Sequence, residues 1–260
     1  YRESRTNAAE TNKPDRIKVF PGFELTIDIP CQALLIFDED IEESILDAAL
    51  AKLGIQLTPE DEPTTGHPDR LRFTSLNQLK ESLGYHPNIV NRFIILPNVT
   101  DTGEHSLLRK GQKNEYQEMP CVGGYIDGSF SDLREGTKNI LSGQDSSWGK
   151  RRLPVIQTSD NRDEQHTLLG KHTTYIKWSW PTAEALRQAF LAPDSRLSHH
   201  TPSLPNVYIE RVIIQNSLIS GNITVDLNQQ FNAFIGGRGT GKSTLLEYIR
   251  WAFCDDDPLT

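Results

Sequence analysis

The sequence predicts an α/β fold in two parts, and three observations along the chain lead to this prediction. Over roughly the first 195 residues, short apolar runs alternate with helical patterns, which is typical of an α/β domain with parallel strands. A segment rich in Pro, His, Ser and Thr follows at 198–205 and predicts a linker. A glycine-rich loop then occupies 236–243, between an apolar run and an amphipathic pattern. We therefore expect an α/β domain at 1–197, a linker at 198–205 and a second domain at 206–260.

The elements of the first domain are predicted from apolar runs between turn residues and from helical stripes between caps. Buried strands are expected at 17–20, 33–37, 93–96, 153–157 and 173–177. Helices are expected at 40–53, 75–83 and 182–191. Asp40 is expected to cap the first helix with Glu43 as its capping-box partner, and Gly54 to end it. The glycine-rich stretch 101–149 predicts long loops with short helices.

The second domain is predicted to contain three closely spaced strands and one helix. The strands are expected at 207–214, 223–227 and 231–235, and the helix at 242–253. The third strand leads directly into the glycine-rich loop, and the helix leads out of it. This strand–loop–helix order is the context that a phosphate-binding loop requires.

The glycine-rich loop matches the P-loop pattern G-x4-G-K-[S/T]. The residues expected to bind the nucleotide are Gly236, Gly237, Arg238, Gly239, Thr240, Gly241, Lys242, Ser243 and Thr244. Glycines allow backbone N–H groups to converge on phosphate oxygens, and the helix N-terminus adds partial positive charge. In such a loop Lys242 is the catalytic cation on the β- and γ-phosphates, and the Ser243 hydroxyl holds Mg²⁺. We therefore expect ATP and Mg²⁺ as ligands; the alternative is a glycine-rich turn that binds nothing.

Composition and charge argue against several other classes of function. The chain carries 27 basic and 35 acidic residues, a net charge of −8, unlike a small protein that only coats nucleic acid. Two basic clusters, at 109–113 and 150–152, are interpreted as solvated loop faces. No run approaches the ~18 apolar residues of a membrane span. The 3 cysteines lie far apart without C-x-x-C spacing, which favours a reducing, cytoplasmic setting.

A second candidate for a nucleotide site precedes the loop. Residues 34–39 consist of four apolar residues followed by Asp38 and Glu39, which is the form of a Walker B strand. In P-loop ATPases that strand follows the loop, whereas here it comes about two hundred residues earlier. We therefore interpret it as an ordinary buried strand of the first domain, with a permuted nucleotide site as the alternative.

The segment 207–253 resembles the N-terminal lobe of SMC- and RecF-type ABC ATPases. The resemblance is carried by residues 213–216, 223–227, 231–236 and 241–246. The family usually has Asn-Gly-Ser where this chain has Arg238-Gly239-Thr240. The resemblance implies an ATP site that a second copy closes with its signature motif. Neither that motif nor a downstream Walker B strand is visible, and the chain begins at Tyr1, so we expect it to be part of a longer protein.

The first two hundred residues are similar to a PHP (polymerase and histidinol phosphatase) domain. More closely, they resemble the TrlF-like proteins, which join a PHP head to such an ATPase. The matching residues lie at 20–25, 158–160, 170–186 and 192–197. The resemblance implies an α/β chain made of a PHP-like irregular (β/α) barrel followed by the first lobe of an ABC/SMC-type P-loop ATPase. It also implies two or three metals at the carboxyl ends of the barrel strands, where they activate water against phosphoesters.

Several positions depart from the PHP pattern. Gln32 and Asn98 stand where family members carry His, and Arg162 stands at the His of their Ser-Asp-x-His motif. Glu24 and Asp160 remain as the carboxylates that the resemblance assigns to a Zn²⁺ or Mn²⁺ site. Amides are poor substitutes for imidazole as ligands of these metals, and Arg162 adds a positive charge. A degenerate head and a metal-binding head therefore both stay open.

The two resemblances together imply an ATP-binding and ATP-hydrolysing protein that acts in DNA repair or anti-phage defence. Its PHP-like head is expected to process or sense a nucleic acid or nucleotide. Both domains are expected to take part in forming a homo-oligomer, without contact to a membrane. Two alternatives stay open: an ATP-gated, metal-dependent phosphoesterase or nuclease at the PHP site, and a degenerate PHP scaffold for oligomerisation.

Overall fold

The computed structural model describes residues 18–55, 71–109, 111–161, 163–178, 180–215 and 221–253. Ile17 and Arg162, which entered the sequence predictions, lie outside these residues. The chain divides into two compact units, Tyr1–Thr201 and Pro202–Thr260. Both units combine helices with small sheets, which confirms a mixed α/β chain. Within the described ranges, these sheets do not close into a barrel.

Helices and strands alternate irregularly along the described residues. The strands are β1 (Gly22–Ile27), β2 (Cys31–Phe37), β3 (Phe93–Pro97), β4 (Gly124–Asp127), β5 (Val155–Thr158), β6 (Tyr175–Ile176), β7 (Leu197–Ser198), β8 (Arg211–Ile214) and β9 (Ile223–Asp226). The α-helices are α1 (Glu43–Lys52), α2 (Leu76–Gly84), α3 (Lys113–Glu118), α4 (Glu135–Leu141), α5 (Ala183–Leu191), α6 (Pro193–Arg196) and α7 (Lys242–Phe253). Short 3₁₀ turns occur at Phe130–Asp132 and Ser146–Trp148.

The N-terminal unit is built on an antiparallel sheet, β1-β2-β3, and a parallel pair, β4-β5. A parallel bridge between Asn98 and Tyr125 connects the end of β3 to β4. The carboxyl ends of β3, β4 and β5 therefore lie at one edge, where α/β proteins place their ligands. The side chains of β2 alternate between two apolar clusters: Leu35 lies in the larger cluster and Leu34 packs against the smaller one.

The predicted parallel order is confirmed only for β4-β5 and is wrong for the first three strands. The prediction of a strand at 17–20 is also wrong, because residues 18–20 form no strand and β1 begins at Gly22. The apolar alternation of Phe23, Leu25 and Ile27 marks this strand, and Pro21-Gly22 is its start rather than its terminating turn. A short connection to Cys31 then forces β2 to run antiparallel.

Two helices of the N-terminal unit, α2 and α5, begin with a side-chain cap, whereas α1, α3, α4 and α6 begin without one. Ser75 accepts a hydrogen bond from Gln78 N–H at the start of α2, as predicted. The backbone N–H of Leu76 in the same turn donates to the Glu115 carboxylate at 2.6 Å. The prediction that Asp40 caps α1 is wrong: the cap position is Glu42, and the Asp40 carboxylate instead accepts from Arg92 at 2.7 Å.

The C-terminal unit contains an antiparallel pair, β8-β9, and the predicted helix α7. The predicted strand at 231–235 is wrong, because these residues form no strand and no described strand pairs with them. Phe231 and Ile235 are 80% and 94% exposed, so this stretch has neither the ladder nor the buried face that stabilises a strand. Across the described part of the chain, no helix has the length and apolar character needed to cross a bilayer.

Candidate functional site

Three glycines of the P-loop sit at positions where a side chain is disfavoured. Gly239 and Gly241 adopt φ values of +80° and +83°, in the left-handed region that side chains disfavour. A Cβ atom on Gly236 would lie 2.8 Å from the Thr240 hydroxyl oxygen, which is closer than such contacts occur. The sequence therefore folds locally into a tight loop at 236–241 that ends where α7 begins, at Lys242.

Lys242 directs its ammonium group into the loop that precedes it. Its Nζ atom donates to the carbonyl oxygen of Gly236 at 2.8 Å and to that of Gly237 at 2.5 Å. The side chain of Lys242 is half-buried, whereas the residues from Gly236 to Gly241 are exposed. The loop thus holds a positive charge at its centre, where an anion can reach it.

Thr240 holds the loop together from within. Its hydroxyl donates to the carbonyl oxygen of Gly237 at 2.9 Å and lies 3.3 Å from Nζ of Lys242. The missing Cβ atom of Gly236 leaves the space that this hydroxyl fills. Sequence reasoning included Thr240 among the nucleotide-binding residues, but the pattern allows any residue there and gives no signal for this contact.

The first turn of α7 presents polar groups beside the loop. The backbone N–H groups at the start of a helix have no intrahelical acceptor and carry partial positive charge. Ser243 and Thr244 are exposed in this turn, and Leu245 N–H donates to the Gly241 carbonyl at 2.9 Å. A cleft of about 710 Å³ lies against the loop, with Phe234, Ile235, Leu245 and Tyr248 among its walls. The donors and the apolar walls fit a nucleotide with its phosphates on the loop.

A hydrogen-bonded network connects Glu24 of β1 with residues at the carboxyl ends of β3 and β4. The Tyr125 hydroxyl donates to the Glu24 carboxylate at 3.0 Å and accepts from the Asn98 amide nitrogen at 3.3 Å. That same nitrogen lies 3.2 Å from the Asp127 carboxylate, and the Asn98 oxygen accepts from Thr100 N–H at 2.9 Å. Burial and the neighbouring Glu24 carboxylate raise the pKa of Tyr125, which therefore stays a proton donor.

The two sequence-predicted metal ligands of this unit are far apart in sequence, and only Glu24 lies on a strand. Glu24 is on β1, and Asp160 follows β5 with a left-handed backbone (φ +37°). In the part of the chain that the structure describes, no three His, Cys, Asp or Glu side chains are grouped to hold a metal ion. Two buried atoms at this end of the sheet, Oδ1 of Asp101 and Nδ1 of His105, have no hydrogen-bond partner among the described residues. Tyr125 and Asp127 were not singled out from the sequence, because a Tyr and an Asp in a short strand form no motif.

Residues 211–259 match the model of a protein family described as an AAA domain. No curated protein and no solved structure matches the chain. The matched segment contains β8, β9, the P-loop and the described part of the following helix. It supports a P-loop ATPase of the SMC/RecF kind in the C-terminal unit, and an ATPase function in general.

Proposed function

We propose that this protein binds ATP together with Mg²⁺ at residues 236–244 and hydrolyses it. The observation that carries the proposal is the ammonium group of Lys242, held inside a glycine loop at the start of α7. The loop lies within the segment that matches the AAA domain. A loop that already surrounds a cation with its own carbonyl groups needs only a local rearrangement to offer that cation to phosphate oxygens.

In this proposal, each polar group of the loop and of the first turn of α7 has a separate role in binding ATP. Lys242 leaves the two glycine carbonyls and neutralises the charge that develops on the β- and γ-phosphates. Backbone N–H groups of the loop and of the first turn of α7 orient the phosphate chain. The Ser243 hydroxyl is exposed in that turn and is the side chain that would hold Mg²⁺. The bound ion would supply electrostatic stabilisation of the phosphate oxygens.

Calorimetric titration with ATP tests the binding step and the role of Ser243. In the presence of Mg²⁺, Ser243→Ala is expected to weaken ATP binding by about tenfold, since a bond to a charged group contributes about 1.5–3 kcal/mol. With the metal removed by chelation, the wild type and the variant should bind alike. If the wild type and Ser243→Ala bind ATP equally in the presence of Mg²⁺, Ser243 does not contribute to the site. If the wild type does not bind ATP, the proposal is contradicted.

For the N-terminal unit we propose a PHP-like scaffold whose ligand positions are connected by hydrogen bonds. The support is Asn98: both ends of its amide are engaged, by Thr100 and by Asp127 with Tyr125. The phosphoesterase alternative makes a distinct prediction, because it requires Glu24 and Asp160 as metal ligands. Metal content and hydrolysis of a chromogenic phosphodiester are the deciding measurements. Activity that Glu24→Ala and Asp160→Ala both abolish would establish the phosphoesterase.

We also propose that the protein forms a homo-oligomer through its C-terminal unit. Large apolar side chains are exposed there, including Trp251 (67%) and Phe253 (70%), and such surfaces are often covered by a partner. Light scattering with and without ATP tests this: a mass that stays monomeric under both conditions would contradict it.

A role in DNA repair or anti-phage defence is part of the proposal and is supported by the family resemblance alone.

A further inference from the structure

A small antiparallel sheet on the N-terminal unit brings two like charges opposite each other. Strand β6 pairs with β7 in the register Tyr175↔Ser198 and Ile176↔Leu197. The register continues with Lys177 and Arg196, since the backbone N–H of Lys177 donates to the carbonyl of Arg196 at 2.8 Å. Ile176 and Leu197 pack against the smaller apolar cluster, which fixes the sheet to the body of the unit.

The two cations have no anionic partner among the described residues. Lys177 and Arg196 are exposed, and neither side chain forms a hydrogen bond or ion pair with another residue that the structure describes. Other arginines of this unit do pair with carboxylates: Arg92, Arg152 and Arg187 have such contacts at 2.9, 2.6 and 2.6 Å. Like charges directly opposite each other in a sheet are destabilising, so a bound anion would relieve this position.

Three aromatic side chains are exposed in and after the same strand. Tyr175, Trp178 and Trp180 have exposed fractions of 39%, 41% and 69%. The Tyr175 hydroxyl is hydrogen-bonded to the Thr201 hydroxyl at 3.1 Å, and the Trp178 ring packs on Phe20 with 5.3 Å between ring centres. Two of the three rings are thus held in place while part of their surface remains in water. Fixed, exposed rings of this kind are platforms for flat ligands.

We propose that this part of the N-terminal unit, which carries the exposed side chains of Tyr175, Lys177, Trp178, Trp180 and Arg196, binds single-stranded nucleic acid. Lys177 and Arg196 bind phosphates of the nucleic-acid backbone, and the aromatic rings stack on bases. A duplex hides the faces of its bases, and an acidic peptide satisfies the cations but not the rings. The combination of unpaired charge with exposed rings therefore selects the single strand. The proposal does not require a nucleotide at the P-loop, so its test is independent of the test of the ATPase function.

Fluorescence anisotropy of a labelled oligothymidylate of about 20 nucleotides, titrated with the whole chain, tests the proposal. The binding constant falls as the salt concentration rises, and the slope of its logarithm against the logarithm of the salt concentration is the measured quantity. In the double variant Lys177→Ala/Arg196→Ala this slope is expected to be shallower by about 1.4, because two phosphate contacts on a single strand are lost. The double variant Trp178→Ala/Trp180→Ala is expected to bind at least about tenfold more weakly, since stacking on an aromatic ring contributes substantially per base.

Matched variants distinguish this part of the N-terminal unit from general effects of charge and exposed rings. Lys52→Ala/Lys80→Ala removes the same charge from exposed positions on α1 and α2, and Tyr85→Ala removes an exposed ring from the end of α2. Both should bind like the wild type, and circular dichroism should show that every variant is folded. The proposal is overturned by absent binding, by equal affinity for a duplex, by full competition from polyglutamate, or by control variants that weaken binding as much.

Discussion

At the residue scale, the candidate nucleotide site depends on a few contacts inside the P-loop. The Gly236 and Gly237 carbonyls face the Lys242 ammonium, and Thr240 binds the second of them. When Lys242 turns to a phosphate, Thr240 is left as the side chain that still satisfies Gly237. Thr240 is therefore expected to keep the loop closed while nucleotide is bound.

Replacing Thr240 by valine tests this role, because valine keeps the shape and lacks the hydroxyl. Thr240→Val is expected to weaken ATP binding about two- to tenfold, the effect of one neutral hydrogen bond of about 0.5–1.5 kcal/mol. Thr240→Ser, which keeps the hydroxyl, should bind like the wild type. Calorimetric titration of the three proteins measures the difference, and equal affinity of the valine variant would contradict the role.

The Tyr125 hydroxyl gives a residue-scale prediction for the N-terminal unit. Tyr125→Phe removes the bond to Glu24 but leaves the Asn98 amide with its Asp127 contact. The variant is expected to lose about 1 kcal/mol of unfolding free energy, measured by urea denaturation. Tyr85→Phe is the control, because Tyr85 is 80% exposed, and it should stay within about 0.5 kcal/mol of the wild type. A loss no larger than in the control would show that the network is not stabilising.

At the element scale, His199 connects β7 to the rest of its unit. The ring stacks on Phe130 with 4.8 Å between ring centres, and its Nε2 lies 2.8 Å from the Val155 carbonyl of β5. The carbonyl can only accept, so Nε2 carries the proton. Burial lowers the pKa of His199 in the folded state. The contribution of the neutral ring is therefore present above the usual histidine pKa of about 6.5 and is lost as the pH falls towards the lower, folded pKa.

Because the stabilising contribution of neutral His199 is lost as the pH falls, the melting temperature of the N-terminal unit is expected to decrease from about pH 7.5 to about pH 5.5. His199→Gln keeps a donor for Val155 but cannot be protonated, so its melting temperature should fall less over the same range. His172→Gln is the control and should follow the wild type. The same pH dependence in His199→Gln as in the wild type would contradict the assignment.

The elements also show where sequence reasoning succeeds. Helices α2, α5 and α7 were predicted because caps such as Ser75 and Thr182 and the apolar stripe are local signals. Strand direction depends on distant partners, so no local pattern showed that β2 and β3 are antiparallel. The P-loop was predictable because its chemistry is contiguous in sequence. The contacts of Glu24 with Tyr125, 101 residues apart, have no such signal.

At the scale of the whole molecule, the two units differ in how they bury apolar residues. The N-terminal unit contains two apolar clusters with fully buried side chains such as Phe37 and Tyr116. In the described part of the C-terminal unit, Ile214 is the buried apolar side chain, and α7 buries none. The C-terminal unit thus presents its candidate nucleotide site on a surface rich in exposed apolar groups. This exposure is the physical basis for proposing that the C-terminal unit forms the homo-oligomer.

The steady-state rate of ATP hydrolysis in Lys242→Ala tests the central claim most directly. The wild type is expected to hydrolyse ATP in a Mg²⁺-dependent way. Lys242→Ala is expected to be slower by about 10- to 100-fold, because a charged hydrogen bond of about 1.5–3 kcal/mol to the phosphates is lost. Lys52→Ala, which removes an exposed lysine from α1, should match the wild type. Hydrolysis at the wild-type rate in Lys242→Ala would contradict a P-loop ATPase at this site.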